Sequence, residues 1–458
     1  MRAASACIPA LVCASACAAG LHPIPRPIAA ASPLRLVREA QAYRPFTVCG
    51  ERGGIYGQQN GIFEAWIFPV KILSRFRIHA EIDRYPVPIE LNDYAAGIEV
   101  TPAVTTITYS HPAFTVRQHM FAPSDAAGVA VLFDVDAIRP LHLTFEFEPD
   151  VERMWPAPNF GRPSAEWIES GGYYILHTDS PHLAAAIGLP RSTPGILVPY
   201  QERPRTYPLE FRLAIDPAKD AKLSFPLLMA VGQEGQELRQ RLEAANDKVA
   251  ELYARSEAHY TRFFDSRLWA ETPDGAFNDA MRWAVVAIEQ SRVRFHGETG
   301  LAAGFGQSVD SARPGFGWFF GRDTLWTLFA IHSYGDFALS RQALEFLIRR
   351  QRADGKIMHE YSQTADLVDW AQRPYFYAAA DSTPLLVMAM NDYVAASGDT
   401  GSPAALGSRP KSLGIHAGSR FRRRRDLRKH RRNRMGGGMA SEDAASGDLL
   451  GGSGPAIV

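Results

Sequence analysis

The residues with the clearest chemical potential lie in one short stretch, Phe316-Gly317-Trp318-Phe319-Phe320-Gly321-Arg322-Asp323. Arg322 is a planar fork of donors and Asp323 an ionised acceptor, so side by side they can grip vicinal hydroxyls. Trp318 adds a flat apolar surface. The same residues also fit a structural Arg-Asp pair at a helix N-terminus beside core aromatics. Two more stretches carry polar groups of this kind. One is Ala353-Asp354-Gly355-Lys356-Ile357-Met358-His359-Glu360-Tyr361, where His359 and Glu360 are either ligand contacts or a loop-fixing hydrogen-bonded pair. The other runs from Tyr375-Phe376-Tyr377 to Asp381-Ser382-Thr383-Pro384, where Asp381 is either a cleft carboxylate or part of an N-terminal capping box. No metal-ligand cluster, Walker loop or dinucleotide fingerprint is present, so no metal or cofactor is expected.

These groups need elements to hold them. From residues 46 to 232 the pattern is β. Leu141, Leu143, Phe145 and Phe147 alternate with His142, Thr144, Glu146 and Glu148, and Phe114-Val116-Gln118-Met120 and Val129-Val131-Phe133-Val135 do the same. Many strands at short spacing predict an antiparallel β-sandwich. Residues 233–270 switch to linker helices, with Leu238, Leu242, Val249, Leu252 and Tyr253 near helical spacing. Residues 274–400 read as helical hairpin units. Phe277, Met281, Ala284, Val285 and Ile288 form one stripe; Asp323 or Thr324 caps a second helix. Asp336 caps a third, with Leu339, Ala343, Phe346 and Leu347 on one face, and Thr383-Pro384 opens a fourth. The second and fourth are apolar nearly all round, which predicts burial on every side. Alternating outer and inner helices are what an α/α barrel needs.

Bulk properties constrain less. The 458 residues are 46% apolar and 21% charged, an ordinary globular composition. Lys+Arg and Asp+Glu both total 49, which gives no sign of a nucleic-acid or membrane partner. Residues 1–19 read as a signal peptide: a basic Met1-Arg2, an apolar run and an Ala16-Cys17-Ala18 cleavage site. This predicts a periplasmic or extracellular protein, with a lipid anchor at Cys17 as a further option. Cys7, Cys13 and Cys17 lie in that segment, leaving Cys49 without an intrachain partner.

The segment ending Trp318…Arg322-Asp323 resembles the W-x-x-R-D or W-x-x-x-R-D motif of glucoamylase-like and debranching glucosidases, members of the six-hairpin glycoside hydrolase clan. The stretch from Asp354 to Glu360 is similar to the clan's D-G-x-I-x-H-E loop, and Tyr377 to Pro384 to its Y-x-x-A-D-x-T-P. The resemblance covers residues 274–399 in the right order. It implies an N-terminal β-sandwich, a linker helix and an incomplete (α/α)6 toroid. It also implies that Trp318, Arg322, Asp323, His359, Glu360 and Asp381 contact an α-glucan or oligosaccharide, with Trp318 as the wall for the sugar face. The implied reaction is inverting hydrolysis of α-glucosidic bonds without a cofactor. Competing activities are a trehalase-like hydrolase, a glycoside phosphorylase, or a non-catalytic carbohydrate-binding protein.

After Gly401 the character changes. Residues 401–458 are rich in Gly, Ser, Ala and Arg, with a basic run from Phe421 to Arg432. As a native segment it reads as a disordered basic tail suited to nucleic acid. Translation in the wrong frame accounts for it better. Met has a single codon, so Met435-Gly436 and Met439-Ala440 each become Trp when read one base later, where debranching relatives carry W-V-E-x-W. On this reading no nucleic-acid partner is expected. The catalytic acid and base, which the clan draws from later hairpins, are missing, and the chain as written is inactive.

Overall fold

The computed structural model describes residues 20–27, 32, 34–195 and 208–401. The expected signal peptide and the segment beyond Gly401 that is expected to be frame-shifted lie outside the described residues.

Two antiparallel sheets of ten and eight strands face one another. The alternating residues of the sequence supply the space between them. Phe133 on Ala130–Ala137, from the first sheet, meets Phe76 on Val70–Ile82 and Phe145 on Leu141–Arg153, from the second, with ring centroids 5.9 and 4.7 Å apart. Leu141, Leu143, Phe145 and Phe147 are all buried, as their period of two requires. Each such apolar side chain contributes about 1.5–3 kcal/mol when fully buried. The strand runs further than its alternation does. Register shifts between Glu146 and Glu148 and between Pro149 and Glu152 carry it on to Arg153.

The alternation of Val129, Val131, Phe133 and Val135 leads one to expect a single buried face, but the outer face of Ala130–Ala137 is covered too. Val131, Phe133 and Val135 point into the sandwich, whereas Ala130 and Leu132 belong to a second apolar cluster with the linker helix. After a single turn, α1 (Pro217–Asp220), that linker is the 30-residue α2 (Gln236–Asp265). It buries Leu238, Leu242, Val249 and Tyr253, the last packing edge-on against Phe121 at 5.4 Å.

Past residue 274 the chain forms α3 (Gly275–Gln290), α4 (Gly321–Tyr334), α5 (Phe337–Arg349) and α6 (Ser382–Ser397). Gly335 and Asp336 alone join α4 to α5, making an αα-hairpin. Asp336 caps α5 by accepting from the Leu339 amide at 3.1 Å. Helices α4 and α6 run parallel, because Arg322 meets Asp381 at one end and His332 meets Asp392 at the other. The described helices do not close a ring.

Several expectations change here. The region is not purely helical: Arg292–Phe295, Glu298–Gly304, Phe316–Phe320 and Glu360–Tyr361 make a four-stranded sheet. Helix α3 buries Asn278, Val285, Val286 and Glu289, while Phe277, at the head of the expected stripe, is 52% exposed. Hydrophobic periodicity finds an apolar face but not which neighbour exists to cover it, and among the described residues none covers Phe277. For the same reason α4 and α6 are buried on one side only, and Trp326 and Met388 face outward. Neither Asp323 nor Thr324 caps α4. The helix starts at Gly321, directly off a strand, with Asp323 in its first turn. Helix α6 starts at Ser382, which places Pro384 third rather than first.

Candidate functional site

Strand Phe316–Phe320 delivers the candidate residues. It pairs with Glu298–Gly304 on one side and with Glu360–Tyr361 on the other, Phe320 opposite Glu360. Its side chains therefore alternate. Phe319 turns into the helical core against Phe346, 4.4 Å away, while Phe316, Trp318 and Phe320 share the opposite face. Gly321 then turns the chain into α4, and its N–H donates to the His359 carbonyl at 2.9 Å. A Cβ there would lie 2.2 Å from the Met358 carbonyl oxygen, so the strand-to-helix junction requires glycine.

One residue on, Arg322 donates through Nε and Nη2 to the two oxygens of Asp381, at 2.5 and 3.1 Å. This fork joins the N-termini of α4 and α6. Both side chains are nearly half exposed, so the pair is a surface feature that remains open to a ligand. The guanidinium holds the Asp381 carboxyl below the usual carboxylate range. Arg322 and Asp323 also border a cleft of about 400 Å³ between α3 and α4, with Ser291, Ala303, Trp326 and Thr327 on its walls.

The other expected contacts sit differently. Trp318 is only 4% exposed, and its indole N–H donates to Glu360 Oε2 at 2.9 Å. Glu360 is buried as well. The two form an internal pair beneath the site, not the open wall and cleft carboxylate that the motif implied. Strand pairing fixes this: with Phe320 opposite Glu360, the carboxylate is directed under the strand toward the indole. His359 is half-buried, edge-on to Phe320 at 5.7 Å, and its Nδ1 has no hydrogen-bond partner among the described residues.

Sequence reading missed Trp155, which joins aromatics of two of the quoted stretches. Trp155 enters from the end of the long sandwich strand, its centroid 5.3 Å from Trp318 and 6.4 Å from Tyr375. Arg313 lies over its ring at 4.4 Å. Phe316 is 64% and Tyr375 49% exposed. The available signal was an aromatic beside a chain-stiffening proline, in Trp155-Pro156, Arg313-Pro314-Gly315-Phe316 and Pro374-Tyr375.

The sandwich also contributes charged anchors that sequence reading passed over. Glu64 is fully buried and accepts four hydrogen bonds. These come from Trp66 Nε1, the Ser308 amide and hydroxyl, and the Val309 amide, at 2.8, 2.8, 2.9 and 3.2 Å. Burial pushes its carboxyl up, and these hydrogen bonds offset only part of the rise. Lys71, 1% exposed, donates to the Ser311 carbonyl and lies 3.0 Å from Glu152 and 3.6 Å from Asp150. Burial pulls its ammonium down, but those carboxylates outweigh it and raise the group. Together Glu64 and Lys71 fix the loop that leads into Phe316.

Two other groups are not sites. Ser340, His332 and Asp392 have the spacing of a nucleophilic triad, Oγ to Nε2 and Nδ1 to carboxylate both 2.6 Å, but Ser340 is completely buried between helices. Cys49 is buried, and burial pushes its thiol up to about 12, which removes the thiolate needed for reactivity. Among the described residues no cluster of His, Cys, Asp or Glu suits a metal ion, and no helix is long and apolar enough to cross a membrane.

No protein-family model and no curated protein matches the sequence. Solved structures do match in fold. A bacterial glucoamylase complexed with acarbose superposes over 81% of this chain with a TM-score of 0.55 at 11% identity. A protein from the human microbiome described as a kojibiose phosphorylase covers the same 81% with a TM-score of 0.52 at 10% identity. The chain has a six-hairpin glycosidase-like fold. It spans 59% and 57% of the length of those two proteins.

Proposed function

We propose that this chain is the sandwich and leading hairpins of an inverting glycoside hydrolase that acts on α-glucosidic bonds of oligo- or polysaccharides, of the debranching or glucoamylase-like kind. The observation that carries the reading is the Arg322–Asp381 fork at the joined N-termini of two parallel helices, with Asp323 beside it on an open cleft. A forked donor and neighbouring ionised acceptors suit the vicinal hydroxyls of a sugar. Arg322, Asp323 and Asp381 bind the sugar in this reading, His359 lines its approach, and the Trp318–Glu360 pair holds the strand that presents them.

Inversion needs a general acid for the leaving oxygen and a general base for water, roughly 6.5–9.5 Å apart. We assign neither role to Asp323, Glu360 or Asp381. The acid and base belong to later hairpins, and the aberrant reading frame after Gly401 replaces them. The chain as written therefore grips sugar without cleaving it. In this reading the protein is exported through residues 1–19.

The test is glucose release by purified full-length protein from maltose, isomaltose and glycogen, each with and without inorganic phosphate. The expected result is no release in any arm, with glucose binding detectable by calorimetry. Release without phosphate overturns the inactivity. Release of glucose 1-phosphate only with phosphate replaces the hydrolase by a phosphorylase.

A further inference from the structure

Residues 305–315 leave the four-stranded sheet and return to it, the two ends held together by the pairing of Gly304 with Phe316. The sandwich grips the middle of this loop residue by residue. Glu64 accepts from the amides of Ser308 and Val309, and Arg75 donates to Asp310 Oδ1 at 2.6 Å. Lys71 donates to the Ser311 carbonyl at 3.2 Å and the Trp155 amide to the Ala312 carbonyl at 2.9 Å. The backbone is strained around this grip. Arg75, Val151 and Val309 have φ of 52°, 46° and 55°, the left-handed region that β-branched residues rarely enter. Val151 separates Asp150 from Glu152, the two carboxylates on Lys71. Val309 is 59% exposed, so side-chain packing does not hold it in that conformation. Strain of this kind persists only where the surroundings over-determine it, and it clusters at working sites.

Strength alone does not call for buried charges here. Apolar packing would hold a loop without desolvating Glu64 and Lys71, and such replacements are often neutral or stabilising. Hydrogen bonds to a carboxylate and an ammonium have direction, so they fix the loop in one position. That position is passed on over a short distance. Only Arg313, Pro314 and Gly315 separate Ala312 from Phe316, and the Gly315 amide donates back to the Arg313 carbonyl at 2.8 Å. Strand Phe316–Phe320 then runs straight into Gly321 and Arg322. A binding group has to be held within about 0.5 Å of its productive place, and this chain of anchors ends on the guanidinium.

We propose that Glu64, Lys71 and Arg75 are positioning residues of the sugar site. Through residues 308–312 they set where strand Phe316–Phe320 ends, and hence where Arg322 meets the sugar. The β-sandwich thereby tunes affinity without touching the ligand. This rests on the sugar-binding reading of the fork.

The experiment is glucose calorimetry and amide hydrogen exchange on the full-length protein, for wild type, Lys71→Met, Asp310→Ala and Asn246→Ala, at a temperature where each is folded. Asp310 and Arg75 are exposed and Arg75 keeps Glu148, so Asp310→Ala should hold the wild-type melting temperature. Asn246→Ala is the control for lost stability alone, because its buried amide bonds to His22 and not to this loop. The expected result is a loss of glucose affinity of about tenfold for Lys71→Met and about threefold for Asp310→Ala. Exchange across residues 316–323 should quicken in both. Asn246→Ala should melt lower and bind as wild type does. If Lys71→Met does not fold, Asp310→Ala decides alone. Wild-type affinity and exchange in Asp310→Ala, or an equal loss of affinity in Asn246→Ala, would make the loop's anchors merely structural and leave the fork standing. If wild type binds no glucose, the fork reading itself fails and the positioning role falls with it.

Discussion

Arg322 grips both carboxylate oxygens of Asp381 across 59 residues of sequence, and in doing so ties the start of α4 to the start of α6. The pair is nearly half exposed, so water screens it and its stability worth is at most about 1 kcal/mol. Its value is geometric, and Asp381→Asn should separate the two. The melting temperature is expected to move little, while glucose affinity measured by calorimetry falls about tenfold. The pH dependence has a defined sign. Arg322 depresses the Asp381 carboxyl, so the paired form is complete above the ordinary Asp value of roughly 3.9 and is lost only as pH falls below it. Wild-type affinity that already declined between pH 6 and 5 would remove Asp381 from the site.

Much of this architecture is written in local pattern, and the exceptions have physical causes. Period two placed Leu141 to Phe147 inward, and Asp336 capped a helix where it was expected. The motif located Arg322 and Asp381 but not their mutual contact, which depends on how two distant helices pack. Trp318 was legible as a residue and misjudged as a surface, because strand pairing decides which way a side chain points and a motif does not encode it. Trp155 was missed for a related reason: two register shifts carry the strand that leads to it past the end of the alternation. Helix α3 shows the limit of periodicity, since its apolar stripe is covered at Val285 while no described element covers Phe277 at its head.

Ser340 offers a sharp negative. Its contact with His332 has catalytic spacing, yet the hydroxyl is sealed among α4, α5 and α6, with no room for a substrate. A fluorophosphonate probe should leave the protein unlabelled at Ser340 under native conditions, as read by mass spectrometry of its peptides. Ser340→Ala should instead show up as lost stability, about 1 kcal/mol, since it removes the partner of a buried imidazole nitrogen. Stoichiometric labelling of Ser340 would make the cluster a second active site.

Glu64 joins the sandwich to the loop that precedes the aromatic strand. Glu64→Ala would orphan the Trp66 indole N–H and the Ser308 amide, each costing about 1–3 kcal/mol when left buried and unpaired. The expected loss in a urea titration is therefore larger than for any variant of the exposed fork. Glu64→Gln keeps one acceptor oxygen and should fall between. Burial raises the folded carboxyl above its unfolded value, so ionising Glu64 costs stability as pH rises through that window. Glu64→Gln should flatten this slope above the ordinary Glu value of roughly 4.3. An unchanged slope would show that Glu64 carries no such cost.

The junction of sandwich, linker helix and hairpins is held by a buried ionic network centred on Arg292. Its Nη2 lies 2.8 Å from Glu289 and 3.5 Å from Asp336, both almost fully buried, and its Nε lies 4.0 Å from Glu51. His259 also meets Glu289, and Arg267 meets Asp336, so Arg292→Ala leaves each of those acids one partner short rather than alone. A loss of about 3 kcal/mol is expected at neutral pH, toward the lower end for breaking buried pairs. The sign with pH distinguishes electrostatics from lost packing. Burial works to raise Glu289, but the His259 hydrogen bond and the Arg292 charge outweigh it and hold the carboxyl low. The stability this gives is present above the ordinary Glu value and disappears as pH falls through the depressed one. Without Arg292 burial regains ground, Glu289 titrates higher, and protonating it relieves the folded state. Glu51 adds to the same trend, because burial already raises it and Arg292 is one of the two arginines opposing that. The stability difference between wild type and Arg292→Ala should therefore be largest near pH 7 and shrink toward pH 4, as read from urea midpoints. A difference constant across that range would assign the loss to packing of the Arg292 stem and leave the network without an electrostatic role.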